Sequence, residues 1–176
     1  DKFPEVVLSV DTWYSEVAGR CVEAGAAMVN DVSAGRVDSN MYRTLAQLKV
    51  PYVLMHMKGM PGTMQANPRY RDVTKEVVTF LIKEVARLRK MGVMDVVVDP
   101  GFGFGKTIDH NFQLLKNTRP ERACLVFDDI YWSAGMARAW REIQSDPSVQ
   151  ISIDLFQLGI VFFRPESSKQ HFVLKW

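Results

Sequence analysis

The chain has few of the features that most often classify a small protein. Its two cysteines, Cys21 and Cys124, stand alone, one in a helical pattern and one in a strand. That argues against a disulfide framework and reads as reduced, buried thiols of a cytosolic protein. No apolar run reaches the roughly eighteen residues of a membrane span, and no signal peptide is evident. Neither sign of charge dominates: 22 basic against 20 acidic residues leave a net charge of +2. Neither nucleic acid nor a membrane surface is favoured as a partner. Two phosphate-binding motifs fail by position. A P-loop would need glycine five residues before Gly105, where Pro100 stands, and a dinucleotide-binding GxGxxG would need glycine at Lys106. The chain begins Asp1-Lys-Phe-Pro without methionine, and reads as a piece of something longer.

What is present fits a folded α/β protein. A length of 176 residues with 47% hydrophobic and 24% charged residues suits a globular domain of ordinary size. Val6–Val10 reads as a strand ending at Asp11-Thr12. A helix follows over Ser15–Ala24, closed by Gly25. Ala27–Asn30 is a second strand ending at Asn30-Asp31, and Ser39–Leu48 a second helix. Pro51–Met55 is a third strand ending at His56. Asp72 is placed to cap a long helix whose face carries Val73, Val77, Phe80, Leu81 and Leu88, with Glu84 as its one polar exception. Gly92 ends that helix. Asp95–Val98, a β-branched run, reads as a buried parallel strand. Alternation of this kind predicts parallel βα units.

The most informative stretch follows that fourth strand: Asp99-Pro-Gly-Phe-Gly-Phe-Gly-Lys-Thr107. A carboxylate at a strand end, followed by three alternating glycines, reads as a ligand-facing loop, because glycine lets backbone approach a ligand closely. The alternative is a glycine-rich loop without a ligand. Polar residues close all four strands, at Asp11, Asn30, His56 and Asp99. Open α/β sheets and (β/α) barrels both place ligands at the carboxyl ends of their strands, so the four predict a polar cluster on one face.

These residues carry a resemblance. Ser9-Val-Asp-Thr12, Val29-Asn-Asp-Val32, Leu54-Met-His-Met-Lys-Gly59 with Thr63-Met-Gln65, and Asp99–Lys106 with His110-Asn111 are similar, in order and spacing, to dihydropteroate synthase. The resemblance covers roughly residues 1–117. It implies part of a (β/α)8 TIM barrel, here its third to sixth strands as four βα units. It also implies the family's reaction, joining 6-hydroxymethyl-7,8-dihydropterin pyrophosphate to p-aminobenzoate in folate biosynthesis with release of pyrophosphate. The family's pterin-binding residues map onto Asp11, Asn30 and Asp99, with Val32 and Met55 as apolar walls and Phe104 towards the p-aminobenzoate side. The chemistry is sensible on its own terms. Carboxylates accept from a pterin's amino and ring N–H groups, and an Asn amide both donates and accepts. Two local alternatives stand beside it: Asp11 as a helix cap and Met55 as plain core. His56 is expected to hydrogen-bond internally, and Lys106 to stay on the surface. No catalytic residue is assigned. The resemblance further implies Mg2+ as cofactor, two small-molecule substrates, a cytoplasmic enzyme, and room for a homodimer.

Several family segments have no counterpart here: the first-strand Asn that helps hold magnesium, the second-strand Thr-Arg, the seventh-strand Ser-Arg-Lys and the eighth-strand Arg-x-His. Ser167-Ser-Lys169 lacks the arginine and is not a substitute. A barrel of this kind needs about 250 residues.

After Asn117 the character changes. Ala123–Phe127 reads as a buried strand ending in Asp128-Asp129, which is either a turn or a substrate-side pair. Gly135–Ile143 reads as a helix with Met136, Trp140 and Ile143 on one face. Val149–Asp154 and Gly159–Phe163 form an expected antiparallel pair, and His171–Trp176 a last strand. Val126–Ser133, Ala139-Trp140, Ser152–Phe156 and Gly159–Arg164 resemble the carboxyl-terminal end of a class I S-adenosylmethionine-dependent methyltransferase, without that family's glycine-rich cofactor loop. The expected organisation is a dihydropteroate synthase-like portion over 1–117 and a methyltransferase-like segment over 118–176, joined near Lys116–Arg119. Strands 1 to 5 are expected to be parallel and in chain order, with a β-α-β-β tail adding an antiparallel pair at one edge. Three functions compete: a dihydropteroate synthase portion, a methyltransferase-related protein with S-adenosylmethionine (SAM) as cofactor, and a non-catalytic α/β fold. A methyltetrahydrofolate-using methyltransferase barrel is a lesser rival, disfavoured by Met55-His-Met57 and Gly101–Gly105.

Overall fold

The computed structural model describes residues 5–60, 62–64, 66–118 and 124–174. Gln65, Arg119, Ala123, Lys175 and Trp176, which figure in the sequence reading, lie outside the described residues. The chain divides into two compact units, Asp1–Thr118 and Arg119–Trp176.

In the first unit, strands and helices alternate: β1 (Ser9–Asp11), α1 (Ser15–Glu23), β2 (Met28–Asp31), α2 (Met41–Leu48), β3 (Tyr52–Met55), α3 (Val73–Lys90), β4 (Val96–Asp99) and α4 (Ile108–Thr118). The strands form one parallel sheet in chain order, β1-β2-β3-β4. The register pairs Val10 with Val29 and Tyr52 with Val96, so these side chains share one face. That face meets the helices in a core of Ala18, Met41, Leu45, Tyr52, Val77 and Leu88. Glu84, the polar exception on α3, is buried where it accepts from the Tyr42 hydroxyl at 3.0 Å. Asp72 caps α3 by accepting from the Lys75 N–H at 2.9 Å.

Three expectations change here. The first strand starts at Ser9 rather than Val6, because β2 begins at Met28, opposite Ser9, leaving earlier residues without a ladder partner beyond the Ala27 N–H bond to Leu8. The fourth strand is parallel but not buried: Val97 and Val98 are 51% and 49% exposed, since β4 pairs only with β3 and forms an edge. Helix α4 has no counterpart in the sequence reading. Its start is marked by a reciprocal pair, the His110 N–H donating to Thr107 Oγ1 and the Thr107 N–H to His110 Nδ1.

The second unit holds β5 (Cys124–Phe127), α5 (Ala134–Ser145), β6 (Ile151–Leu155), β7 (Leu158–Phe162) and β8 (Gln170–Val173). Its sheet runs β5-β7-β6-β8. β6 and β7 form the expected antiparallel hairpin, and β8 runs parallel to β6. β5 does not continue the first sheet. It pairs antiparallel with β7, so the expectation of five parallel strands in one sheet is wrong. Nor is β5 buried: exposure alternates along it, as on a strand with one covered face, and Cys124 is exposed rather than a buried thiol. Ser133 caps α5 through the Met136 N–H, and Trp140 is the buried residue of that helix.

Candidate functional site

Side chains alternate across a strand, so the ladder register states which residues share a face. Asp11 lies opposite Asn30, Asn30 opposite Val53, and Val53 opposite Val97. Met55 lies opposite Asp99, each two residues beyond Val53 and Val97. Asp11, Asn30, Met55 and Asp99 therefore occupy the same face at the carboxyl ends of four neighbouring strands, Met55 and Asp99 one pleat beyond Asp11 and Asn30. This is the face turned away from the helix core. Parallel pairing puts all four carboxyl ends on one side, which is why a strand-end pattern in sequence becomes a cluster in space.

Asp11 hydrogen-bonds the Asn30 side chain, while desolvation by the surrounding protein, and secondarily the charge of Asp31, hold its carboxyl above the usual carboxylate range. It does not cap α1. Tyr14 occupies the cap position, and the Ser15 N–H is taken by Asp38 Oδ2 at 2.8 Å. Asp99 is half-buried and accepts from the Gly101 N–H at 2.7 Å through Oδ1. Met55 is 2% exposed, Val32 half-buried just past β2, and Phe104 half-buried in the glycine loop.

His56, the fourth polar strand end, does not join the cluster. It follows Met55 in an extended segment and turns to the helix side, its ring 5.1 Å from that of Phe80 on α3. Burial, then the nearby Lys106 and Arg36 charges, push its pKa down to about 4. Its Nδ1 accepts from Lys106 Nζ at 3.1 Å, the internal role expected of it. Lys106 itself is not on the surface. It is 3% exposed, and burial lowers its pKa to about 8.

The glycines of the loop are explained by backbone approach. A Cβ on Gly101 would lie 2.0 Å from the His56 carbonyl oxygen, and one on Gly105 would lie 2.2 Å from that of Lys58. Tyr70 donates to the Gly105 carbonyl at 2.8 Å, closing the loop against the segment after β3. Two further residues were given no role by the sequence reading. Asp31 is fully buried and organises the β2–α2 loop by accepting from the Ser33 and Gly35 N–H groups, both at 2.7 Å. Arg36 ties that loop to the next strand end, donating to the Met57 carbonyl at 2.7 Å. Strand-end acids followed by a Gly-containing loop were the available signal.

A cleft of about 1100 Å3 lies elsewhere, between the β3–α3 segment and α3, lined by Arg36, His56, Lys58, Tyr70, Glu76 and Phe80 among others. Among its charged residues, Lys58 pairs with Glu76 at 2.9 Å. Among the described residues no group of three or more His, Cys, Asp or Glu side chains could hold a metal ion. Among the described residues no helix is long and apolar enough to cross a membrane. In the second unit Asp128 accepts from the Asp129 N–H at 2.9 Å in a turn, and Asp154 is buried under Tyr131 and Trp140.

A parallel sheet with polar groups gathered at its carboxyl ends is the layout of a small-molecule site in an α/β protein. The sequence model of the Pterin binding enzyme family matches residues 1–138, and the chain belongs to that family. The match spans the first unit and continues through β5 into α5. Among similar proteins, the folic acid synthesis protein fol1 of Pneumocystis carinii is 37% identical over 139 residues, covering 77% of this chain and 19% of the relative. Dihydropteroate synthase of Escherichia coli is 40% identical over 113 residues, covering 63% of this chain and 40% of the relative. Dihydropteroate synthase of Thermus thermophilus, solved in complex with 4-aminobenzoate, is 46% identical with a TM-score of 0.62, covering 64% of this chain and 44% of that structure. The same protein is also solved in complex with 6HMPPP. The chain thus spans less than half the length of these relatives.

Proposed function

We propose that the first unit is the pterin-recognising portion of a dihydropteroate synthase, a partial (β/α) barrel in which Asp11, Asn30 and Asp99 hold the pterin's polar edge. Val32 and Met55 would flank the ring, and Phe104 would lie towards p-aminobenzoate. The observation that carries this reading is the ladder register, which gathers the three polar groups on one sheet face at the carboxyl strand ends. The donor and acceptor pattern suits a pterin. Asp11 and Asp99 accept, Asn30 does both, and a site of fixed polar groups rejects analogues that leave one unpaired. Similarity to dihydropteroate synthases solved with the aromatic amine and with 6HMPPP supports the substrate class.

What these residues supply is orientation: carboxylates that fix the pterin ring, and an apolar wall that excludes water on one side. The test is calorimetric titration with 6-hydroxymethylpterin. The wild-type chain is expected to bind it, and Asp99→Asn to weaken binding by about 1–3 kcal/mol, the loss of a charged hydrogen-bond acceptor. Equal affinities for wild type and Asp99→Asn would refute the assignment.

For the second unit, the β6–β7 antiparallel pair favours the methyltransferase-like reading of that segment, as a sheet-closing piece without a cofactor loop. A parallel titration with S-adenosylhomocysteine is expected to show no binding. Saturable binding would give this unit a cofactor role.

A further inference from the structure

Lys106 places a buried ammonium where the proposed pterin chemistry has no direct use for one. Its Nζ lies within hydrogen-bond distance of four acceptors: the Gly101 carbonyl at 2.8 Å, and His56 Nδ1, the His56 carbonyl and the Phe104 carbonyl at 3.1 Å each. An ammonium has three protons, so the four acceptors share them. None is a carboxylate. A cation whose hydrogen bonds all go to neutral dipoles is costly to bury, so it marks a place where geometry matters.

The acceptors are not arbitrary. The His56 N–H donates to the Asp99 carbonyl at 3.0 Å, and the Gly101 N–H donates to Asp99 Oδ1 at 2.7 Å. The two residues that hold Asp99, one by its backbone and one by its side chain, are among the three whose carbonyls Lys106 draws together. The absence of a Cβ at Gly101 allows that approach, since one would stand 2.0 Å from the His56 oxygen. Remove the ammonium and the two carbonyls face each other without a cation between them.

We propose that Lys106 is a positioning residue: it clamps His56 to Gly101 and so fixes the side-chain direction of Asp99 for the pterin. The proposal rests on the pterin reading of Asp99, but the clamp itself is measurable without ligand. Two titratable groups face Lys106 directly, His56 from the end of β3 and Asp99 from the end of β4. Arg36 and Lys58 act on His56, and Tyr70 closes the loop from its far side.

The experiment compares wild type, Lys106→Met, Asp99→Asn and the double variant. The readouts are amide hydrogen exchange at Gly101 by NMR and calorimetry with 6-hydroxymethylpterin. In folded Lys106→Met the Gly101 amide is expected to lose at least tenfold in protection, and pterin affinity to fall about tenfold. The double variant should bind no more weakly than Asp99→Asn alone, because the lysine acts through that carboxylate. A merely structural lysine would lower stability while leaving affinity in the folded fraction and this coupling untouched, and that result would overturn the proposal. If wild type fails to bind pterin, the pterin reading falls, and Gly101 exchange alone decides the clamp. Should Lys106→Met not fold, the wild type is titrated from pH 7 to 9.5. The Gly101 and Phe104 amide resonances are expected to move together with a midpoint near 8 as the ammonium loses its proton. Resonances that stay still across that range would sink the clamp.

Discussion

At the scale of single residues, His56 shows how an internal role becomes a measurable pH dependence. Its ordinary pKa of 6.5 falls to about 4 in the folded chain. The unfolded chain therefore binds the extra proton between those values and the folded chain does not. Stability rises with pH wherever the unfolded state holds more protons, so this contribution is complete above about pH 6.5 and is lost as pH falls towards 4. At roughly 1.4 kcal/mol per pKa unit the loss is on the order of 3 kcal/mol. Urea denaturation at pH 7 and at pH 4.5 is expected to show the drop. His56→Asn, which keeps an acceptor near the Nδ1 position but does not titrate, is expected to flatten it. An equally steep acid limb in His56→Asn would assign the loss to other groups. Asp11 pulls the other way: its raised pKa makes it a group the folded chain prefers protonated, so it costs stability as pH rises through the carboxylate range.

Elements explain why some of this was legible in sequence and some was not. β-branched runs spaced by helical periodicity predict parallel βα units, and the observed sheet β1-β2-β3-β4 follows. Within such a sheet, a polar residue at each carboxyl end must appear on one side, so Asp11, Asn30 and Asp99 could be grouped from sequence. His56 was set apart by its expected internal hydrogen bond, but that it faces the helix side was not legible, because facing depends on a one-residue phase that a short strand does not reveal. Lys106 was unreadable for a different reason. Its burial depends on carbonyls of His56, fifty residues earlier, brought close by glycines. Those glycines make a sharp prediction. Gly101 and Gly103 both have positive φ, 68° and 81°. A methyl at Gly103 meets nothing within 4 Å, whereas one at Gly101 lies 2.0 Å from the His56 oxygen. Gly103→Ala should therefore cost only the left-handed backbone penalty, about 1–2 kcal/mol. Gly101→Ala adds a backbone clash and should cost on the order of 3 kcal/mol or more. Equal losses in denaturant midpoints would mean that the loop does not pack on the segment after β3.

At the scale of the whole molecule, the two units answer to different rules. β5 reads in sequence like one more buried strand, but sheet membership is decided by partners, and the β6–β7 hairpin supplies an antiparallel one. In the first unit, the proposed pterin face presents no cation among the described residues for the pyrophosphate end of the substrate. Departure of pyrophosphate while p-aminobenzoate attacks the pterin methylene carbon builds negative charge on phosphate oxygens, which cations must meet. On the sheet face of Asp11, Asn30, Val53, Val97, Met55 and Asp99 the register places acids, an amide and apolar groups, with no lysine or arginine. Lys106 is already committed to four internal acceptors. Recognition and turnover should therefore come apart in these 176 residues. A coupled assay for pyrophosphate release, with both substrates and magnesium present, is expected to show no turnover above background at concentrations where calorimetry detects pterin binding. Release that saturates with p-aminobenzoate and disappears in Asp99→Ala would show that groups outside this face stabilise the leaving group, and binding and catalysis would then not be separable in this chain.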